Sequence, residues 1–198
     1  MYIPKNLQMA ACSANQFIHQ NGFGCLVSPD LTGSHLPFLF DEKHNVLYTH
    51  LAKANTHWQG LAGQEVLIIF SGPHAYISPT WYDKGPAVPT WNYVAVHIKG
   101  KVTVLNELDT LNVVNQTVEK YEPALLTNTR VFNSEFNSRL AKAIVGLKID
   151  ITDIEGKQKL GQQRTQADQR GVFEALQQGN LEAQLLAEYM KKHEIGLG

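Results

Sequence analysis

The feature that most constrains this chain is a long strand-like text broken once by prolines. It reads EVLIIFSGPHAYIS, then PTWYDKGPAVPTW, then NYVAVHIKGKVTVL, from Glu65 to Leu105. β-Branched and aromatic residues dominate both flanks, as strands require. Between them stand two triplets, Pro79-Thr80-Trp81 and Pro89-Thr90-Trp91. Proline fixes φ and removes a backbone donor, so the ladder must break there. Each triplet is expected to turn the chain and present its tryptophan sideways, over a partner subunit or a cofactor. Beyond the break, Val94, Val96 and Ile98 alternate with Tyr93, Ala95, His97 and Lys99. That spacing gives a strand with one core face and one amphiphilic face.

More strands precede it. FGCLVS, SHLPFLFD and HNVLYTHLA read as three strands separated by turn chemistry. Pro37 places its position at an edge or a bulge. SANQFIHQNG is a short helix with Ser13 as the expected N-cap. From Glu107 the period changes. Leu111, Val114, Val118 and Tyr121 fit one stripe of a helix that Pro123 ends. A second helix is expected over SEFNSRLAKAI, with Ser134 as cap and Phe136, Leu140 and Ile144 along one side. VGLKIDITDIEG is a last strand, and helices over 166–178 and 181–192 finish the chain. This order lacks the βαβαβ alternation of a dinucleotide-binding sheet. It predicts a mainly β, α+β fold: about six antiparallel strands in a small barrel with flanking helices. The domain is expected to span 1–178, with a helical tail over 179–198.

The chain's 198 residues are enough for one domain with a real core. A formal net charge of -1 gives no global basic field of the kind DNA binders use. Cys12 and Cys25 form no metal-ligand spacing, and the expectation is reduced thiols in a soluble cytoplasmic protein. No secretory leader or membrane-spanning run is read in the sequence. The common nucleotide loops, GxSxG and HExxH are absent, and the eight histidines show no HxxxH or HxH pairing. What remains is polar clusters at strand ends. They are Ser34 and His35; Thr49, His50, Lys53, Asn55 and Trp58; Ser71, His74, Tyr76 and Ser78; and Lys157, Lys159, Gln162, Gln163 and Arg164 after the last strand. Cations and hydroxyls hold phosphate, and aromatic faces cover a planar ring. Together they suit a flat phosphorylated cofactor.

MYIPK, SHLPF, THLAKAN, GPHAYISPTWY, VPTWNYVAVH, AIVG and EGKQKLGQQR, in this order from Met1 to about Val172, resemble the PaiB-like proteins of the flavin-binding split-barrel group. The spacer DKGPA and the turn SPDLTG are shorter than that pattern, and KLGQQR replaces KLSQNR-like text. The resemblance implies an open six-stranded split barrel and a homodimer with FMN at the subunit interface. It places His35 and Pro37 where a strand passes the cofactor, and Thr49, His50, Lys53 and Asn55 at its phosphate. It places Trp81 and Trp91 at the pocket wall or the dimer seam, with Lys159 and Arg164 near the site or across it. The implied role is transcriptional regulation. With four cations in its best basic cluster, DNA binding would be weak and salt-sensitive. The alternative is a flavin oxidoreductase or haem-handling enzyme on the same barrel, with His35, His74 or Tyr76 as acid-base candidates.

Overall fold

A computed structural model describes residues 1–133, 139 and 141–198. Six strands form its centre: β1 Phe23–Val27, β2 Gly33–Asp41, β3 Val46–Ala52, β4 Glu65–Ile77, β5 Thr90–Val104 and β6 Ile144–Lys159. Their order around the sheet is β1-β2-β3-β6-β5-β4. The ladder closes, where an open barrel was expected. β4 returns antiparallel to β1 through Cys25↔Ile69, Leu26↔Ile68 and Val27↔Leu67. Closure joins β1 and β4, which would otherwise be the edges of the sheet. Pro37, which needs a position without a ladder donor, faces Phe23, the first residue of β1.

Alternation fills the interior. Leu26, Leu47, Ile68, Phe70, Val96, Ile98, Leu147 and Ile149 are fully buried. Phe38 and Phe70 meet edge to face, with ring centroids 5.4 Å apart. Val94, Val96 and Ile98 are buried as the spacing predicts, and Lys99 is exposed.

The two tryptophan triplets behave differently. Pro79–Trp81 forms a 3-10 turn, capped by Ser78, whose hydroxyl accepts from the Thr80 N–H at 3.2 Å. Thr90 and Trp91 instead open β5. Only the first triplet turns the chain. The second extends it, because its proline lies just before the strand, where no ladder donor is needed.

Four described helices accompany the barrel: α1 Ala11–Gln20, α2 Glu107–Tyr121, α3 Gln166–Gln177 and α4 Leu181–His193. Ser13 lies inside α1 rather than capping it. On α2 the buried residues are Thr110, Val113 and Val114, while Tyr121 is exposed. The stripe is rotated from the one expected because Thr110 sets it. Its hydroxyl accepts from the Gly146 N–H at 3.0 Å. A Cβ on Gly146 would come within 2.7 Å of that hydroxyl, so glycine is what lets α2 approach β6. Asn106, Thr165 and Asn180 cap α2, α3 and α4. Gly171 on α3 has no room for a side chain beside the Trp81 carbonyl, so the 3-10 turn and the helix fit closely.

The helix expected from Ser134 lies largely outside the described residues, and Ile144 opens β6. β6 runs through Lys159, so Lys157 and Lys159 are strand residues, not loop residues as expected. By compactness the chain divides into two units. One comprises Met1–Ala14, Ser71–Val96 and Glu155–Gly198; the other comprises Asn15–Phe70 and His97–Ile154. No described helix is long and apolar enough to cross a membrane.

Candidate functional site

Six of the ten residues singled out in the sequence lie in the unit of Asn15–Phe70 and His97–Ile154. Phe38 pairs with Thr49. Adjacent strand residues point to opposite faces. Thr49 therefore faces inward with Phe38, and both are 1% exposed. Its hydroxyl donates to the Pro37 carbonyl at 2.6 Å. His35, Pro37 and His50 share the outer face.

His50 sits opposite Gly146 of β6. Its Nδ1 is buried with no hydrogen-bond partner. Burial holds the imidazole below its ordinary pKa. His35 is exposed, and its ring lies against Phe23 with centroids 6.2 Å apart and planes 26° apart. Phe23 is 64% exposed, a large amount for phenylalanine on a strand.

Lys53 follows β3. Its N–H donates to the Ala143 carbonyl at 2.8 Å, and its carbonyl accepts from Trp58 Nε1 at 3.1 Å. The backbone is thus fixed while the side chain is free to swing. Its ammonium lies 3.8 Å from the Glu107 carboxylate, and both side chains are exposed. Such a pair contributes little and leaves the ammonium available. Asn55 is different. Its amide oxygen accepts from the His57 N–H at 3.1 Å, and its amide nitrogen donates to Ser34 Oγ at 3.2 Å. Both ends hold the loop.

That loop is locked by Ser34 together with Ser28 and His57, two residues the sequence did not mark. His57 is 9% exposed. Its Nδ1 lies 2.8 Å from Ser34 Oγ and its Nε2 lies 2.7 Å from Ser28 Oγ. Ser28 donates onward to the Asp30 carboxylate. One set of directions satisfies every atom. Asn55 donates to Ser34, Ser34 to Nδ1, Nε2–H to Ser28, and Ser28 to Asp30. The Ser28 hydroxyl, then the Thr32 N–H, hold the Asp30 carboxyl below its usual range, against a smaller opposing effect of burial. Nothing in linear spacing ties positions 28, 34 and 57. The turn and the strand pairing bring them together.

The other four residues lie in the second unit. Lys159 donates to the Thr90 hydroxyl and, at 2.8 Å, to the Trp91 carbonyl. The Arg164 guanidinium lies 4.4 Å above the Tyr82 ring. Trp91 is 48% exposed, with the His74 ring 5.8 Å away and Tyr76 edge-on at 6.3 Å. Trp81 is half-buried in the turn that meets α3.

Comparison with known proteins agrees with this architecture. Residues 1–153 match the family model described as "Putative FMN-binding domain". The chain is 37% identical to the Bacillus subtilis (strain 168) protein named "Protease synthase and sporulation protein PAI 2", covering 96% of this chain and 97% of that one. It is 31% identical to an uncharacterized Aspergillus fumigatus protein, covering 82% and 85%. Among solved structures, the flavocytochrome Anf3 from Azotobacter vinelandii superposes with a TM-score of 0.63 at 11% identity, covering 79% of this chain and 72% of that one. The FAD and heme binding protein from Mycobacterium smegmatis gives 0.58 at 11% identity, covering 77% and 73%. At such low identity these two structures speak to the fold alone.

Proposed function

Since the chain belongs to the FMN-binding-domain family and is similar to the Bacillus protein, we propose that FMN binds on the outer face of β2 and β3. His50 and Lys53 hold its phosphate there. The observation that carries this reading is the buried, unpartnered Nδ1 of His50 near the end of β3, three residues before an available lysine. A buried polar atom left unpaired is unfavourable, and a phosphate oxygen would satisfy it. The exposed Phe23–His35 pair supplies a flat surface for a ring. The donor set therefore fits the cofactor. When bound, FMN supplies the redox-active ring. The chain binds it, neutralises its phosphate through Lys53 and keeps the loop rigid through Asn55 and His57. Thr49 contributes through its backbone position, its hydroxyl being engaged with Pro37.

The protein acts as a homodimer in this reading. A ring lying on the open Phe23 face has a second side to shield, and another copy of the chain is the cover we favour. Its role is regulatory. The support is kinship with the Bacillus protein, whose name ties it to protease synthesis and sporulation. A net charge of -1 means that any direct DNA contact is weak and fades with salt.

Titration with FMN, followed by the shift in visible absorbance, tests the binding. Micromolar affinity is expected. Lys53→Ala should weaken it about 10- to 100-fold, the range of a lost charge-assisted hydrogen bond, with no change in melting temperature. Undiminished affinity in that variant would remove Lys53 from the site. Failure of the wild type to bind would remove the reading.

A further inference from the structure

Lys157 is only 9% exposed, yet no carboxylate among the described residues pairs with it. Its ammonium donates to the Tyr2 carbonyl at 3.0 Å and lies 5.3 Å from the Tyr93 ring centre and 5.8 Å from that of Tyr2. Two more cations accompany it. Lys159 is held by neutral oxygens of Thr90 and Trp91, and Arg164 by the face of Tyr82. Burial, opposed by Tyr93 and reinforced by the charges of Lys157 and Arg164, keeps Lys159 below the ordinary lysine pKa. Two acids of the same unit are engaged elsewhere. Glu155 takes the Met1 ammonium at 2.6 Å, and Asp168 accepts from the Asp83 N–H at 2.9 Å.

Buried charge is retained at a cost unless something pairs it. Cation–π contacts offset only part of what desolvating an ion costs. Lys159 and Arg164, both half-buried, add like charge beside Lys157. An anion is the missing partner.

Lys157 and Lys159 also touch residues that line an aromatic cavity. A cavity of about 370 Å³ is lined by Ser71, Gly72, His74, Trp91 and Tyr93, among others. Two of those residues serve both features. Trp91 lines the cavity and its carbonyl holds Lys159; Tyr93 lines it and its ring lies beside Lys157. The volume is at the small end of the range for ligand pockets, about 300–1,000 Å³.

We infer that this unit holds a second ligand site, for a small planar anion: one aromatic ring against Trp91 and Tyr93, its phosphate or carboxylate on Lys159 and Arg164. The site lies beyond the FMN reading and does not require it.

Phenyl phosphate, benzoate, inorganic phosphate and phenol, each titrated into FMN-treated protein by calorimetry and tryptophan fluorescence, test the site. Phenyl phosphate or benzoate should bind at least tenfold more tightly than inorganic phosphate or phenol. The better of the two identifies the anionic group. Lys159→Gln should weaken that ligand at least tenfold, and Trp91→Leu should abolish its advantage over inorganic phosphate. Arg164→Gln repeats the charge test if Lys159→Gln melts early. Ring-bearing anions that bind no better than inorganic phosphate, or equally well to both charge variants, would overturn the inference. So would displacement of phenyl phosphate by saturating FMN, which would make the cluster the flavin's own clamp and leave the FMN reading standing. Loss of FMN binding with phenyl phosphate binding intact would do the reverse.

Discussion

Two lysine-bearing segments leave the barrel strands, and they are built on opposite principles. In residues 53–58, after β3, nearly every polar atom is engaged by the protein. Asn55, His57 and the Trp58 indole are all donors or acceptors within the loop or to Ser28 and Ser34. In residues 157–164, at the end of β6, the cations rest on carbonyls, a hydroxyl and aromatic rings, with no carboxylate among the described residues. The first segment is a rigid frame that presents one free lysine. The second accumulates charge that folding alone does not reward. Self-satisfied polar groups mark scaffolding; charge held against stability marks a place where something else binds.

The largest test of that contrast is His57→Leu. It removes one imidazole and takes a partner from two buried groups, the hydroxyls of Ser28 and Ser34. Breaking a buried network of this kind costs about 2–4 kcal/mol. Urea unfolding should register it as a shift in midpoint. A loss below about 1 kcal/mol would mean the loop is not held as the hydrogen bonds indicate.

Lys157→Leu asks the converse question. If the ammonium is uncompensated, replacing it with an apolar side chain leaves stability unchanged or raises it by about 1–2 kcal/mol. The loss of the Tyr2 contact works against this and is the smaller effect. A destabilisation as large as that of His57→Leu would erase the distinction between the two segments.

Much of the barrel was legible because period-2 alternation is a local property. Val94, Val96 and Ile98, and Val145, Leu147 and Ile149, declare their faces without reference to any neighbour. Capping is local too, yet Ser13, the expected cap of α1, lies inside that helix. The rotation of α2 was not legible. It depends on Gly146, distant in sequence, admitting Thr110. The two Pro-Thr-Trp triplets look identical in text and differ in structure because the first follows a strand and the second begins one. In the candidate site, the type and position of His50 and Lys53 could be read, but Thr49 could not be separated from His50 until pairing with Phe38 fixed the faces. The His57 network was invisible for the same reason as the α2 contact. Its members are joined by strand register, not by spacing.

The smallest expected effect concerns His50. Its imidazole is held below the usual value by burial, with no partner on Nδ1. The unfolded chain takes up a proton at about pH 6.5, the ordinary histidine value, while the folded chain does so only at lower pH. Between those two points the unfolded state binds more protons, so stability falls as pH falls. Above about pH 6.5 the contribution is constant. The half-buried His193, lowered by burial and by Lys192, acts in the same direction, so the wild type alone cannot isolate His50. His50→Leu can. Between roughly pH 7.5 and pH 5.5, a window that straddles the ordinary histidine value, the melting temperature of the wild type should drop more steeply than that of the variant. FMN should reverse part of the difference, because a phosphate beside Nδ1 favours the protonated ring. Parallel slopes for the two proteins without FMN would show that His50 titrates alike in the folded and unfolded chains. Its Nδ1 would then no longer mark the phosphate site.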